Sequence, residues 1–314
     1  MPGKKCCPHW IESVLTDSVT LTVGAASLSV EPNFGGLLNS LVVPTPRGLR
    51  EVIDGVTAQE LATNPRFCGA VLFPFPNRLR DGRYDFDGHS YQFSVSEVAT
   101  QTALHGFLYR EPAQVTLGAD TLLANYELAG VAAGYPFKAQ IQIEYRLAAN
   151  GSLDVEITVR NTDVVDIPVG FGWHPYFTLG QPLERCRLRL PEVKRSEVDE
   201  RLLPTGRKLK DDRFRESVSL VGIDLDTCFE FDSQATRADV DYVSDEAGFG
   251  LQVWQRCGPQ GMNFVQLYTP PERQSLAIEP MSCGIDALNT GDGLIRLKPG
   301  QTFRSAYGVR VIEP

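Results

Sequence analysis

Five short polar stretches interrupt a sequence that otherwise alternates between apolar and polar residues: PFPNRLRDGRY at 74–84, LHGF at 104–107, GFGWHPYF at 170–177, IDLDTCFEF at 223–231 and LAIEPMSCGIDALN at 276–289. Between them they hold the side chains best suited to hold or move a proton: Arg78, His105, His174, Asp226 and Glu279, with Asn77 beside the arginine. At neutral pH a glutamate is a base, and histidine is the side chain with an appreciable protonated fraction, so the pair suits general acid–base chemistry. Taken one at a time, most have plainer readings. Arg78 beside prolines reads as a loop cation, His105 before Gly106 as a turn residue, His174 as an imidazole in an aromatic core, and Asp226 as a loop-terminating acid. Glu279 is harder to explain away. It follows Leu276-Ala277-Ile278 and precedes Pro280, so it is expected to end an apolar strand, where a carboxylate is costly unless paired or functional.

The elements that must carry these residues are strands. Ile141, Ile143, Tyr145 and Leu147 alternate with Gln142, Glu144 and Arg146, and the alternation resumes at Leu153, Val155, Ile157 and Val159. Asn150-Gly151 between the runs predicts a tight hairpin turn. Asp87-Gly88 predicts a second hairpin joining Tyr84–Phe86 to Tyr91–Phe93. Shorter alternating runs recur at VTLTVG, ASLSVE, GLQVWQ (250–255) and TFRSAYGVRVIE. Both ends of the chain are therefore expected to pair within sheets. Amphipathic helices are scarce, and 28 glycines and 21 prolines break the chain at intervals suited to short antiparallel strands. The expectation is an all-β protein: one large antiparallel β-sandwich spanning 1–314, with about 1–18 as an N-terminal extension.

Composition removes whole classes of function. At 314 residues, 42% hydrophobic and 22% charged, the chain can bury a large core. A net charge of −9 without a basic stripe argues against nucleic acid as a partner. No run approaches the ~20 apolar residues of a membrane span, and MPGKKCCPHWIESVLTDS lacks the apolar stretch of a secretory signal. A cytoplasmic location is the expectation. The seven scattered cysteines then read as mostly buried, reduced thiols, and Asn150-Gly151-Ser152 as a turn rather than a glycosylation site. The four histidines show no metal-binding spacing, there is no C-x-x-C pair, and the nucleotide-cradling glycine motifs and the G-x-S-x-G elbow are absent. Neither a metal nor a cofactor is expected.

As an ordered set, the five stretches resemble the aldose 1-epimerase (galactose mutarotase) family from about residue 20 onward. The order is Asn77-Arg78 before a glycine and a Tyr/Phe-rich hairpin, Leu104-His105-Gly106, His174-Pro175-Tyr176-Phe177, Asp226 three residues before Phe229, then Glu279. His-Pro-Tyr-Phe is the most specific element. The resemblance implies a galactose mutarotase-like supersandwich with its sugar cleft on one sheet, and a small-molecule sugar as partner. It further implies that Glu279 is the general base at the anomeric hydroxyl and His174 the general acid at the ring oxygen. His105 would be a second histidine holding the sugar and the developing charge. Arg78 and Asp226 would bind hydroxyls, with Asn77 a neighbour of the site. Two departures bear on which sugar is used: His105-Gly106-Phe107 replaces the frequent His-Gly-Gly, and Thr178 stands where galactose enzymes often have Asn. Phe73, Phe75, Phe107, Trp173 and Tyr176 are the candidates for an aromatic platform, of which one or two are expected at the site.

Two other readings remain open. One is a hexose-6-phosphate 1-epimerase, with Arg80 and Arg83 as extra cations for the phosphate. The other is a non-catalytic sugar-binding protein of the same fold. The oligomeric state, monomer or homodimer, is not readable from the sequence.

Overall fold

The alternating runs are strands in the computed structural model, which describes residues 18–314. The first expected hairpin is formed by Lys138–Leu147 and Leu153–Asn161, which pair from Ala139↔Asn161 to Leu147↔Leu153. Their apolar residues are buried and the intervening polar residues face outward. The turn between them is longer than a two-residue Asn-Gly loop. Ala148 N–H donates to Ser152 O and Gly151 N–H to Ala148 O, and only Gly151 of this turn takes a positive φ, 82°. Ser152 N–H donates to the Asn150 side chain. Such a turn places an αL glycine after a tight bend and adds a bulge. The second hairpin joins Arg83–Phe86 to His89–Gln92, with Asp87 and Gly88 both at positive φ.

Nine strands form one antiparallel sheet. The C-terminal strand Thr302–Ile312 lies inside it, between Leu153–Asn161 and Phe249–Arg256. Eight strands form a second sheet, and Val19–Val23 and Ala26–Glu31 lie in a third, of four. The two large sheets pack face to face as a sandwich, and a shared core of Ile143, Val155, Tyr307, Trp173, Val265 and Ile278 fills the space between them. The Trp173 and Tyr307 rings stack across the gap with centroids 5.1 Å apart. Burying apolar side chains at about 25 cal/mol per Å² is what holds the layers together. The one α-helix among the described residues is the single turn Ala287–Thr290. No described helix is long and apolar enough to cross a membrane. Cys68, Cys186, Cys228, Cys257 and Cys283 are buried and unpaired with one another, as expected, whereas Cys6 and Cys7 lie outside the described residues.

The site depends on the parity of four strands in the eight-stranded sheet. In Leu276–Met281, Leu276 and Ile278 enter the inter-sheet core while Glu279 points to the opposite face. Trp173 and His174, Val265 and Gln266, and Phe229 and Cys228 divide between the faces in the same way. A shift of one residue in any of these strands would turn its polar side chain into the core. Glu279 is not at a strand end, contrary to the sequence expectation: the strand runs on through Pro280, opposite Val265, to Met281.

Gly106 shows how tightly the adjoining loop is held. Its φ is 69°, and an added Cβ would sit 2.0 Å from Phe73 O. Gly88, at φ 76°, has open space around it. Gly88→Ala is therefore expected to cost about 1–2 kcal/mol from backbone strain alone. Gly106→Ala adds an overpacking cost of about 1–3 kcal/mol. Urea midpoints should separate the two variants in that order, and equal midpoints would contradict the close approach.

Candidate active site

Glu279 and His174 face each other because of strand register. Gly172 pairs with Met281 and Tyr176 with Ala277, which sets His174 opposite Glu279 on the neighbouring strand. Pro280 has no N–H to donate between these pairings, and Pro175 stands opposite Ile278. The side chains meet at 3.5 Å, His174 Nε2 to Glu279 Oε1, just beyond a well-formed charge-assisted hydrogen bond. Both are almost fully buried, at 7% and 2% side-chain exposure. Glu279 Oε2 and His174 Nδ1 have no hydrogen-bond partner among the described residues. Buried polar atoms without partners are uncommon, and each needs an explanation.

Continuing across the sheet, Gln266 lies opposite Glu279 and Cys228 opposite Gln266. Gln266 Nε2 donates to Asp226 Oδ1 at 2.6 Å, and Gln266 Oε1 accepts from Asn77 Nδ2 at 3.1 Å. Asn77 and His105 come from a rim where Arg78 pairs with Leu104. His105 N–H donates to Asn77 O at 2.9 Å, and Asn77 N–H donates to His105 Nδ1 at 3.1 Å. That second bond makes Nδ1 an acceptor, so the neutral ring carries its proton on Nε2. Both residues have φ 60°, a conformation that asparagine tolerates and histidine adopts at some strain. The Arg78 guanidinium grips Glu97 with Nε and Nη2, at 3.0 and 3.2 Å.

These residues line one cleft of about 580 Å³, a size suited to a small ligand. All six sequence candidates, Asn77, Arg78, His105, His174, Asp226 and Glu279, are on its wall. Of the five candidate aromatics one reaches the site, within the one or two expected. Tyr176 lines the cleft, but Phe73, Phe75 and Trp173 are in the core and Phe107 packs against it. Their parity or loop position turns them inward, which composition could not reveal. Phe67 and Tyr268 take their place. Phe67 lies 4.7 Å from the His105 ring and 6.2 Å from the His174 ring, centroid to centroid. Tyr176 stacks on His174 at 5.2 Å, and the Arg66 guanidinium lies 5.2 Å above the Tyr176 ring.

Arg80 and Arg83, considered above as phosphate ligands, are not on this wall. Arg80 turns to Asp286 and Arg83 to Ser90. The cleft's own cations, Arg66 and Arg78, are each engaged by a carboxylate, Asp54 and Glu97. Gln266 escaped the sequence reading, although a polar residue between Val265 and Leu267 in an apolar strand was a usable signal.

Burial dominates the electrostatics. It pushes Glu279 well above the usual carboxylate range, helped by the charge of Asp226 and opposed by Arg78. It pushes His174 down to about 3. His105 is also held well below the usual histidine range by burial, then by the neighbouring His174 and Arg78. Asp226 is raised by burial against the lowering effect of Arg78, but the residue is solvent-exposed overall, and screening makes this the weaker shift. A closely coupled pair titrates as a unit. Glu279 and His174 together hold one proton at neutral pH, because a second proton or none would leave net charge in the buried site.

Residues 17–310 match the family model described as Aldose 1-epimerase. The chain belongs to the aldose 1-epimerase family. It is 30% identical over 254 residues to the uncharacterized protein YihR of Escherichia coli K12, covering 77% of this chain and 79% of YihR. It is 27% identical over 237 residues to a probable aldose 1-epimerase of Arthroderma benhamiae, covering 65% of this chain and 52% of that protein. The chain thus spans about half the length of that fungal relative. Among solved structures, the GalM/aldose epimerase homologue from C. elegans superposes with a TM-score of 0.83 at 19% identity, covering 94% of this chain and 98% of the other. At that identity the likeness establishes a shared fold. The family membership agrees with the resemblance carried by the five motifs.

Proposed function

We propose that the protein is an aldose 1-epimerase that interconverts the α and β anomers of a free, unphosphorylated hexose. The observation that carries this reading is the opposed Glu279–His174 pair, 3.5 Å apart, with Oε2 and Nδ1 unpartnered on a cleft floor.

Opening a hemiacetal ring needs a proton to leave the anomeric hydroxyl while another reaches the ring oxygen. Glu279 takes the first as general base and His174 supplies the second as general acid, each contributing about 10²–10⁴-fold. As the O1–H proton moves to Glu279, the electron pair forms the C1=O double bond, the C1–O5 bond breaks, and O5 receives the His174 proton. The aldehyde rotates about C1–C2 and closes on its other face by the reverse transfers. Before sugar binds, burial leaves the pair's one proton on Glu279. A bound sugar must draw it across the 3.5 Å gap to His174 before O1–H is taken. The pair holds one proton throughout, and the low-dielectric site gains no net charge. His105, with its proton on Nε2, donates to sugar oxygen. Arg78 and Asp226 offer a donor and an acceptor to hydroxyls, and Tyr176 and Phe67 cover the apolar ring face. Beside the net-neutral Glu279–His174 pair, the cleft carries Glu97, Asp226 and Glu272 against Arg66 and Arg78, a balance that disfavours a phosphate dianion.

Polarimetry or NMR of freshly dissolved α-glucose, α-galactose and a wider aldose panel tests the reading. Acceleration of anomer equilibration is expected. No acceleration with any aldose would sink the proposal, sugar binding without catalysis would make the protein a binding module, and a preference for glucose 6-phosphate would overturn the unphosphorylated substrate.

A further inference from the structure

We infer that Glu97 is a positioning residue whose task is to hold the Arg78 guanidinium away from Asp226, so that the cleft presents a separate hydroxyl donor and acceptor. The inference rests on the proposed sugar site. Arg78 and Asp226 line the same cleft and face each other electrostatically, yet no ion pair joins them among the described residues. Opposite charges sharing a partly desolvated wall attract strongly, and a closed Arg–Asp pair would satisfy the groups that a sugar must find free. Two contacts prevent this closure. Asp226 Oδ1 is tied to Gln266 Nε2 at 2.6 Å. Arg78 is gripped through both Nε and Nη2 by Glu97, which leaves Nη1 without a partner among the described residues.

Glu97 is itself fixed more firmly than a loop acid needs to be. Its backbone N–H donates to Thr102 O, and the Thr100 and Thr102 hydroxyls donate to its Oε2. From another loop, Arg201 donates to Thr100 O at 2.9 Å, to Gln101 O at 3.0 Å and to Asp81 Oδ1 at 2.6 Å. Although burial acts to raise it, the Thr100 and Arg78 hydrogen bonds hold the Glu97 carboxyl below its ordinary range. It is therefore ionised and a full counter-charge to Arg78 at neutral pH. The loop 96–102 thus clamps Arg78 from within the cleft wall, to which Glu97 itself belongs.

A double-mutant cycle tests this on the best aldose of the panel. Glu97→Ala is expected to raise KM about 10-fold with kcat changed less than about 3-fold, because hydroxyl contacts act on bound substrate and transition state alike. Glu97→Gln, which keeps one acceptor for Arg78, should fall between the two. In an Asp226→Asn background Arg78 has no carboxylate to close upon, so the further effect of Glu97→Ala on KM should shrink to under about 3-fold. Equal effects of Glu97→Ala in both backgrounds, an unchanged KM, or a loss in kcat alone would each overturn the clamp. If the alanine variant does not fold, Glu97→Gln carries the same cycle. Wild-type mutarotation measured in the same series tests the function separately. Should wild type bind an aldose without turning it over, calorimetric Kd replaces KM in the cycle; should it bind none, both proposals fall.

Discussion

Glu279→Gln is expected to lower the rate of anomer equilibration by at least ~100-fold while raising the melting temperature. Glutamine keeps the shape of the side chain opposite His174 but cannot accept the anomeric proton. The gain in stability follows from burial. Glu279 is held well above its ordinary range in the folded chain, whereas an unfolded glutamate ionises near ~4.3. Above that pH the folded state keeps a proton that the unfolded state has released, so the group's contribution to stability falls as pH rises toward the folded value. The neutral amide removes that dependence. The melting-temperature difference between Glu279→Gln and wild type should therefore widen from about pH 5 to about pH 8. Polarimetry and calorimetry over that range check both halves. A rate within tenfold of wild type would remove Glu279 from the chemistry, and a lower melting temperature would show that its carboxyl is not a buried burden.

His174→Asn is the second large effect, again at least ~100-fold in rate, since asparagine cannot protonate the ring oxygen. The pH profile separates this role from simple packing. With burial holding His174 down to about 3 and Glu279 well up, the one-proton state of the pair spans the neutral range. Wild-type kcat/KM should then be flat through the ordinary histidine value of ~6.5. In His174→Asn the residual rate should rise with pH, because an isolated, raised Glu279 becomes a base only as it ionises. A wild-type inflection near ~6.5 would contradict the buried pair, and a flat profile in the variant would contradict Glu279 as the remaining base.

Much of this molecule was legible beforehand, for a physical reason. Strand periodicity is local: the alternation of Ile141, Ile143, Tyr145 and Leu147 already divides the strand into a buried and an exposed face. Turn chemistry is local as well, as Asp87-Gly88 shows at its two positive φ angles. The motif order around Asn77-Arg78, His105, His174, Asp226 and Glu279 picked out side chains that line one cleft, and a buried carboxylate such as Glu279 is costly to place by accident in an apolar strand. Where the reading stopped short, long-range packing was in control. Periodicity could not say which of the five candidate aromatics would reach the cleft, and Phe67 resembled nothing in particular until its loop brought it to both histidines.

By itself, then, the sequence determined an all-β chain with a proton-handling set of side chains in the order of the aldose 1-epimerase family. Only the tertiary structure decided that Glu279 lies in the middle of a strand and directly across from His174. That pairing depends on the register of two strands about a hundred residues apart, where one step would bury the carboxylate in the inter-sheet core. It also decided that Glu97, an unremarked loop acid, is what Arg78 holds. Hydrogen-bond partners brought together by folding leave no spacing in the chain to read.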